Sequence, residues 1–392
     1  MMVTEKVYYQ DSYCYQIDAT VLDIQRDQDG IWVLPDRTIY FPGGGGQSGD
    51  EGKINGTAVR GIRIEDDKIW YGLATEADFS VAEKVGMEID RQKRLYNMRQ
   101  HTGQHLLSHV LDQLGQKTVS VHLGDSYTLI EVEGPWPDEN LLKKAEEESN
   151  AYIRKSIPVT CQWVSREDIH KFPLRRPAGE WQTLRLVEIE NTDYSACGGT
   201  HVKNTAEIGY IKITALEKIR GRARIKALTG RKADDYFEQL HLLNTALKIE
   251  LSSETEHIVE RVRGLKSDVE GLGKDVEFYR QTYIDSKCRD IINETESDPI
   301  LIVYRLSEGK LADARDLART LSGKFAKIAF ITFADRFYLT APVDSKFSTR
   351  NFLKSHGASL NLRGGGPEGF AQGIAEGSDT EKIKEMILNQ IF

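Results

Sequence analysis

Over the first ninety residues the apolar and β-branched positions come in short runs, at Tyr15–Ile24, Ile31–Leu34, Thr38–Phe41, Val59–Ile64 and Lys68–Tyr71. Breaks rich in glycine and acids separate them, at Asp27-Gln28-Asp29-Gly30, Gly43–Gly46 and Glu65-Asp66-Asp67. Many short strands joined by tight turns predict a small β-barrel or sandwich. The period then lengthens. From Arg91 to Gly115, the residues Leu95, Met98, Leu106, Val110 and Leu114 recur near helical spacing, and Gly115 is placed to end the helix. Strands are expected around Val119–His122 and Tyr127–Val132, then a helix over Asp138–Ser156 with Asp138 as its N-cap. Further strands are expected at Val159–Val164, Leu184–Glu190 and Tyr210–Glu217.

Beyond this stretch the pattern changes again. Ile258, Val262, Leu265, Val269, Leu272, Val276, Tyr279 and Tyr283 alternate steps of four and three, which is a heptad seam. Gly264, Gly271 and Gly273 interrupt it, so a helical hairpin and one long rod both stay open. As one helix, about 26 residues would reach roughly 39 Å. The last segment carries apolar runs at Ile300–Arg305 and Lys327–Phe333 around a helix near Leu311–Ser322. A strand at Arg336–Pro342 and a helix at Glu381–Ile391 complete it. The expected fold is therefore α+β and multidomain: a small β-barrel over 1–90, an α+β domain over 91–232, a helical linker over 233–295 and an α/β module over 296–392.

A length of 392 residues agrees with several cores. With 40% hydrophobic and 29% charged residues the chain suits a soluble globular protein. No apolar run approaches the ~20 residues of a membrane span. The start, Met1-Met2-Val3-Thr4-Glu5-Lys6, lacks a signal-peptide pattern, so no membrane partner and a cytoplasmic location are expected. Cys14, Cys161, Cys197 and Cys288 lie too far apart for a dense disulfide framework. A net charge of -8 argues against indiscriminate nucleic-acid binding, although a local basic surface remains compatible with it.

The sharpest chemistry lies in two separated pairs. His101-Thr102-Gly103-Gln104-His105 falls inside the expected helix, where i, i+4 spacing puts both imidazoles on one face. Cys197-Gly198-Gly199-Thr200-His201 offers a thiolate and an imidazole at the same spacing, with two glycines that let the chain fold tightly. Each pair alone is weak, and His109 extends the helical spacing as a competing ligand. Together they supply one thiolate and three imidazoles, a set suited to zinc. Four protein ligands would close a tetrahedral zinc. Closed sites are usually structural, whereas a catalytic zinc keeps a position for water or substrate.

At these residues the chain resembles the AlaX family of alanyl-tRNA editing proteins and the editing domain of alanyl-tRNA synthetase. The matching segments are Asn97–Leu107, Cys197–Val202 and the glycine-rich Thr38–Asp50, in the family's order. The last reads Gly-Gly-Gly-Gly-Gln-Ser at 43–48, where the family more usually has Glu-Gly-Gly-Gly-Gln-Pro. The stretch from Arg363 to Gly373 is similar to the DHH-associated domain that ends alanyl-tRNA synthetases. The whole chain thus resembles the long AlaX form, a synthetase without its aminoacylation half, since the barrel begins almost at residue 1.

The resemblance implies that His101, His105, Cys197 and His201 ligate zinc. It also implies hydrolysis of serine, and in some members glycine, from tRNA for alanine. Asp193, four residues before Cys197, is a candidate catalytic proton acceptor or orienter of an imidazole, with turn capping as the plainer role. Thr38, Gln47, Ser120 and His122 are candidates for binding the serine hydroxyl, each with an ordinary turn or strand role as the alternative.

Basic residues fit an RNA partner, with a solvated charged face as the plainer reading of any single cluster. Lys212, Lys218, Arg220, Arg222, Arg224, Lys226, Arg231 and Lys232 fall within 21 residues holding one acid, Glu217. Alternation would put Arg220, Arg222 and Arg224 on one strand face towards phosphates. Arg91, Lys93, Arg94 and Arg99 form a second cluster. Arg363, Gly364, Gly365 and Gly366 would cradle phosphate or else form a close-packed turn. By resemblance the last module grips the outer corner of the tRNA, and the heptad linker spans the gap or mediates a homodimer, as the module itself could. Two other functions stay open: a non-catalytic tRNA-binding protein with structural zinc, and a zinc hydrolase acting on another aminoacyl-tRNA such as threonyl-tRNA.

Overall fold

Lys84–Ile89 alternates exposed and buried residues throughout, with Val85, Met87 and Ile89 turned into a core. That period of two is what a half-buried strand requires. The computed structural model describes residues 3–27, 30–74, 78–177, 182–295, 299–377 and 379–392, so the expected turn at Gln28 and Asp29 lies outside the described residues. The fold is α+β and multidomain, with a curled sheet and seven α-helices among the described residues. Its contacts divide into two units, Met1–Ala246 and Leu247–Phe392.

The first unit opens with a seven-stranded antiparallel sheet. Its order is Thr57–Ala58, Gly52–Ile54, Lys84–Ile89, Gln16–Asp27, Gly30–Pro35, Lys68–Leu73 and Gly61–Glu65. Gln16–Asp27 turns a corner: its first five residues pair with Lys84–Ile89 and the rest with Gly30–Pro35, with a register shift between Val21 and Asp23. A second corner lies at Val59 and Arg60, whose N–H groups donate to Gly52 and Gly72 across the two edges. The run Thr38–Phe41 was expected as a strand. Only Arg37–Thr38 pairs, in parallel with Glu5–Lys6. Ile39, Tyr40 and Phe41 are apolar because they plunge into the core ahead of the glycine run.

Helix α1 (Arg91–Gln113) follows, capped by Asp90, whose Oδ1 accepts from the N–H groups of Gln92 and Lys93 at 2.8 and 2.9 Å. Met98, Leu106, Leu107, Val110 and Leu111 seat it on a four-stranded antiparallel sheet. The order there is Lys117–Leu123, Thr128–Glu133, Arg222–Thr229, Ile211–Ile219. Helix α2 (Glu139–Arg154) joins the same core, capped by Asp138 as expected. A third sheet, Val159–Ser165, Thr183–Ile189 and Asp193–Ala196, ends in a short polar strand that no apolar run announces. Arg220 departs from the expected strand face. It occupies the turn of the hairpin with φ 47°, beside Gly221 at φ 82°, because a two-residue turn joining these strands needs left-handed backbone.

Arg94 was counted within the second basic cluster. It is fully buried instead, and its guanidinium meets Asp50, the Ser12 carbonyl at 2.8 Å and the Ile39 carbonyl at 2.5 Å. It pins α1 to the curled sheet. Helix α3 (Arg231–Leu251) starts after Gly230 and runs through the division between the units.

In the second unit, α4 (Ile258–Glu294) is one continuous helix despite its three glycines. Its heptad seam is largely exposed, and only Ile284, Cys288 and Ile291 are buried, against helix α5 (Leu311–Gly323). A five-stranded sheet follows in the order Leu301–Leu306, Ile328–Phe333, Arg336–Thr340, Phe370–Ala375, Leu362–Gly365. The first pair is parallel and the others antiparallel. Helices α6 (Thr349–His356) and α7 (Thr380–Ile391) cover it. Among the described residues no helix is long and apolar enough to cross a membrane.

Candidate functional site

The helical period of α1 brings His101 and His105 to one buried face. The loop after Asp193–Ala196 brings Cys197 and His201 against them. Cys197 Sγ stands 3.4 Å from both His101 Nε2 and His201 Nε2, and the four donor atoms all lie within 4.8 Å of one another. A tetrahedral zinc bonded at about 2.0–2.3 Å separates its ligands by roughly 3.3–3.7 Å. The group could therefore hold a metal after small movements, and one thiolate with three imidazoles suits zinc. His109 is outside this group, with Nδ1 3.9 Å from Asp193 and its ring against Tyr152.

The electrostatics favour a thiolate. Burial opposes charge on Cys197, but His101 and His201 outweigh it and hold its pKa well below the usual thiol range. Burial and His101 push His201 down to about 3. Burial works against a charge on His105 too, yet the Cys197 thiolate and Asp193 raise its pKa to about 9. A cation in the cage would take the place of that proton.

Hydrogen bonds fix which nitrogen is free on two of the imidazoles, His101 and His201. Gln47 Oε1 accepts the Thr200 backbone N–H at 3.0 Å, while its amide nitrogen donates to Thr200 Oγ1 at 2.8 Å. The oxygen's place is thus set, and His101 Nδ1, 2.8 Å from it, must be the donor. Its Nε2 lone pair is left for a metal. Thr102 works the same way. Its hydroxyl donates to the Met98 carbonyl at 2.9 Å, so His201 Nδ1, at 3.1 Å, donates to Thr102 and keeps Nε2 free.

The glycine run aims Gln47. All of Gly43–Gly46 have positive φ, between 59° and 146°, a backbone path open to glycine and strained for other residues. Gly199 answers a different demand. A Cβ there would lie 2.3 Å from the His101 ring and 2.7 Å from Gln47 Oε1. Gln47→Ala is expected to lower zinc affinity by about 10–100-fold by releasing the His101 ring. Competition with a chromophoric chelator measures this, and unchanged affinity would show that Gln47 does not orient the ligand.

Arginines that no motif announced complete the scaffold. Arg185 is buried under Tyr9 and donates to the carbonyls of Cys197 at 3.1 Å and Gly199 at 2.7 Å, clamping the loop that carries Cys197. Arg175 Nε donates to Asp193 Oδ1 at 2.7 Å. Asp193 Oδ2 accepts from Ser195 Oγ at 2.8 Å and faces His105 Nδ1 at 3.5 Å. Burial alone would raise the Asp193 carboxyl, but His105 and Arg175 hold it far below the usual range. Asp193 thus stands as a carboxylate behind the His105 imidazole.

A cleft of about 480 Å³ opens over the cluster. His101, His105 and Cys197 line one part and Gln104, Ser120 and Arg176 another. Among the hydroxyl-binding candidates, Ser120 alone lines it. Gln47 lies behind His101, and His122 is exposed, two residues along the Ser120 strand. Thr38 is fully buried, its hydroxyl 2.5 Å from that of Tyr71 and accepting from the Tyr40 N–H. Of the basic residues, Arg222 is exposed, whereas Arg224 is bound at 2.6 Å to Glu131 on the neighbouring strand. Arg363, Gly364 and Gly365 run along an edge strand, not a loop, with Gly366 next in sequence. A Cβ on Gly364 would stand 2.1 Å from the Gln372 carbonyl, so close strand approach requires that glycine.

Known proteins share sequence with this chain. Residues 184–226 match the family described as the threonyl and alanyl tRNA synthetase second additional domain. The alanyl-tRNA editing protein AlaX-L of Pyrococcus horikoshii is 28% identical over 99% of this chain and 98% of that protein. The alanyl-tRNA editing protein Aarsd1 of Mus musculus is 31% identical over 68% of each chain. The alanine–tRNA ligase of Pyrobaculum neutrophilum is 28% identical over 98% of this chain, which spans 44% of that ligase.

Proposed function

Because the chain belongs to the family of alanyl-tRNA editing proteins, we propose that it removes wrongly attached amino acids, chiefly serine and also glycine, from tRNA for alanine in the cytoplasm. It is an aminoacyl-tRNA deacylase, and the ester cut is the one between the amino acid and the terminal ribose. The observation that carries the reading is the buried cluster of His101, His105, Cys197 and His201, three of whose members line an open cleft. We read residues 91–232 as the editing part, 1–90 as its glycine-loop support, 233–295 as a linker and 296–392 as a tRNA-gripping module.

His101, His105, Cys197 and His201 would hold zinc. Zinc bound there would supply a Lewis acid for the ester carbonyl or a water with its pKa lowered towards about 7. The remaining work falls to the chain's own groups. Gln47 and Thr102 hold two imidazoles, Asp193 and Arg175 the third, and Arg185 holds the loop that carries the thiolate. Ser120 presents its hydroxyl from the cleft wall, where a serine side chain can pair with it and an alanine side chain cannot. A four-donor set also fits a structural zinc in a non-catalytic tRNA binder. The cleft over three of the donors supports the enzyme.

The test is deacylation of tRNA for alanine charged with serine, glycine or alanine, by zinc-loaded and chelator-stripped protein. Hydrolysis of the seryl ester at least about a hundredfold faster than the alanyl ester, lost on stripping and restored by zinc, is expected. Zinc-loaded protein that binds tRNA but cleaves no ester would leave the structural-zinc binder. Hydrolysis of threonyl-tRNA alone would move the substrate.

A further inference from the structure

A second cavity, of about 570 Å³, lies between the first turns of α1 and the start of α3. It is on the other side of α1 from the histidines: two residues separate Arg99 from His101, roughly 160° round the helix. Lys93 and Arg99 from α1, and Arg231 and Lys232 from α3, line it against two carboxylates, Asp90 and Asp125. Asp90 is already engaged as the α1 cap. Lys93 meets Glu51 and Arg231 meets Asp235 at 2.7 Å, whereas Arg99 and Lys232 form no ion pair among the described residues.

Two polar atoms here lack any partner. The Tyr96 hydroxyl and Arg99 Nε are both buried from solvent and make no hydrogen bond among the described residues. Native proteins leave few such atoms unpaired, and a ligand is one usual reason. Both can donate, as can Lys232, so the missing ligand is an anion with several acceptor oxygens. Gly230, at φ 57°, turns the chain into α3 beside the Arg99 stem.

We propose that this cavity binds a backbone phosphate of the tRNA acceptor arm while the 3′ end reaches the metal cleft; this rests on the reading of tRNA as substrate. One helix carries both sites, and five residues of α1, about 7.5 Å of rise, separate Tyr96 from His101. A phosphate held on one side and the terminal ester on the other would fix the acceptor arm across α1. Contact to the backbone adds affinity without reading sequence.

The test is binding of uncharged tRNA to the full-length, zinc-loaded protein over a range of salt, by fluorescence anisotropy. The variant Arg99→Ala/Lys232→Ala is expected to bind about tenfold or more weakly, with the salt slope reduced by roughly one, as loss of a single phosphate contact requires. Tyr96→Phe, which removes one oxygen, is expected to weaken binding severalfold. Arg99→Lys, which keeps the charge, should recover part of the loss seen in Arg99→Ala. Lys143→Ala/Lys144→Ala, which removes two exposed charges from α2, serves as the control and should match the unaltered protein. If the double variant keeps the unaltered affinity and slope, the cavity proposal is overturned and the substrate reading stands. Inorganic phosphate that binds the unaltered cavity while tRNA binding stays indifferent to it at matched ionic strength would assign the cavity to free phosphate and also overturn the proposal. If the unaltered protein does not bind tRNA, the substrate reading fails and takes this proposal with it.

Discussion

Cys197→Ala is expected to bind zinc at least a hundredfold more weakly and to show no measurable deacylation. Apparent zinc binding energies of about 10–16 kcal/mol are shared among four donors, so one ligand accounts for about 3 kcal/mol. A thiolate should exceed that share, because it is the one anion among the donors and its charge is held by the histidines around it. The substitution opens little space, since Cys197 lies in a loop beside the cleft, and the chain should still fold. Metal content after dialysis, read beside seryl-tRNA hydrolysis, makes the check. Full zinc content with lost activity would mean that Cys197 acts on substrate and not as a ligand.

Asp50→Ala is expected to destabilise the first unit by about 3–5 kcal/mol, the largest stability loss of any single change considered. The pair is wholly enclosed: the Arg94 side chain is 0% exposed and that of Asp50 1%. Removing the carboxylate strands a guanidinium where water cannot reach it, and breaking a buried pair in this way costs about that much. The Phe41 N–H, 2.6 Å from Asp50, would lose its acceptor too. Urea unfolding of the zinc-loaded protein reads the difference. A loss under about 1 kcal/mol would show that the Ser12 and Ile39 carbonyls satisfy Arg94 by themselves. The double variant Arg94→Met/Asp50→Leu should recover most of the loss, since apolar replacements of a buried pair are often neutral.

The two pairs of His and Cys residues were legible in the sequence because four residues on a helix put two side chains on one face, and two glycines let a loop bring its own pair together; their meeting in one cluster came only with the fold. Direction was not legible. Gln47 was recognisable within its glycine motif, but only the folded loop shows that its amide faces His101 and Thr200, 153 residues away from the latter, and not the cleft. Charge misled for a related reason. Arg94 and Arg224 read as members of basic clusters because their partners, Asp50 and Glu131, lie 44 and 93 residues off and meet them only through folding. Arg175 and Arg185 sit in no motif, so nothing local distinguishes them from solvated arginines. The short strand Asp193–Ala196 was missed because its residues show no apolar alternation; its pairing with Thr183–Ile189 decides it.

Cys197 follows His101 by 96 residues. A ribosome adding about 5–20 residues per second would deliver the thiolate roughly 5–20 s after the helical histidines. For that interval the nascent chain displays two imidazoles alone, a half-site too weak to retain metal. The curled sheet and its lock on α1 use only residues 1–113, so they can form first. Metal would then be captured last, by a scaffold already standing, and cellular zinc supply would govern how much finished enzyme is active more than how much of it folds.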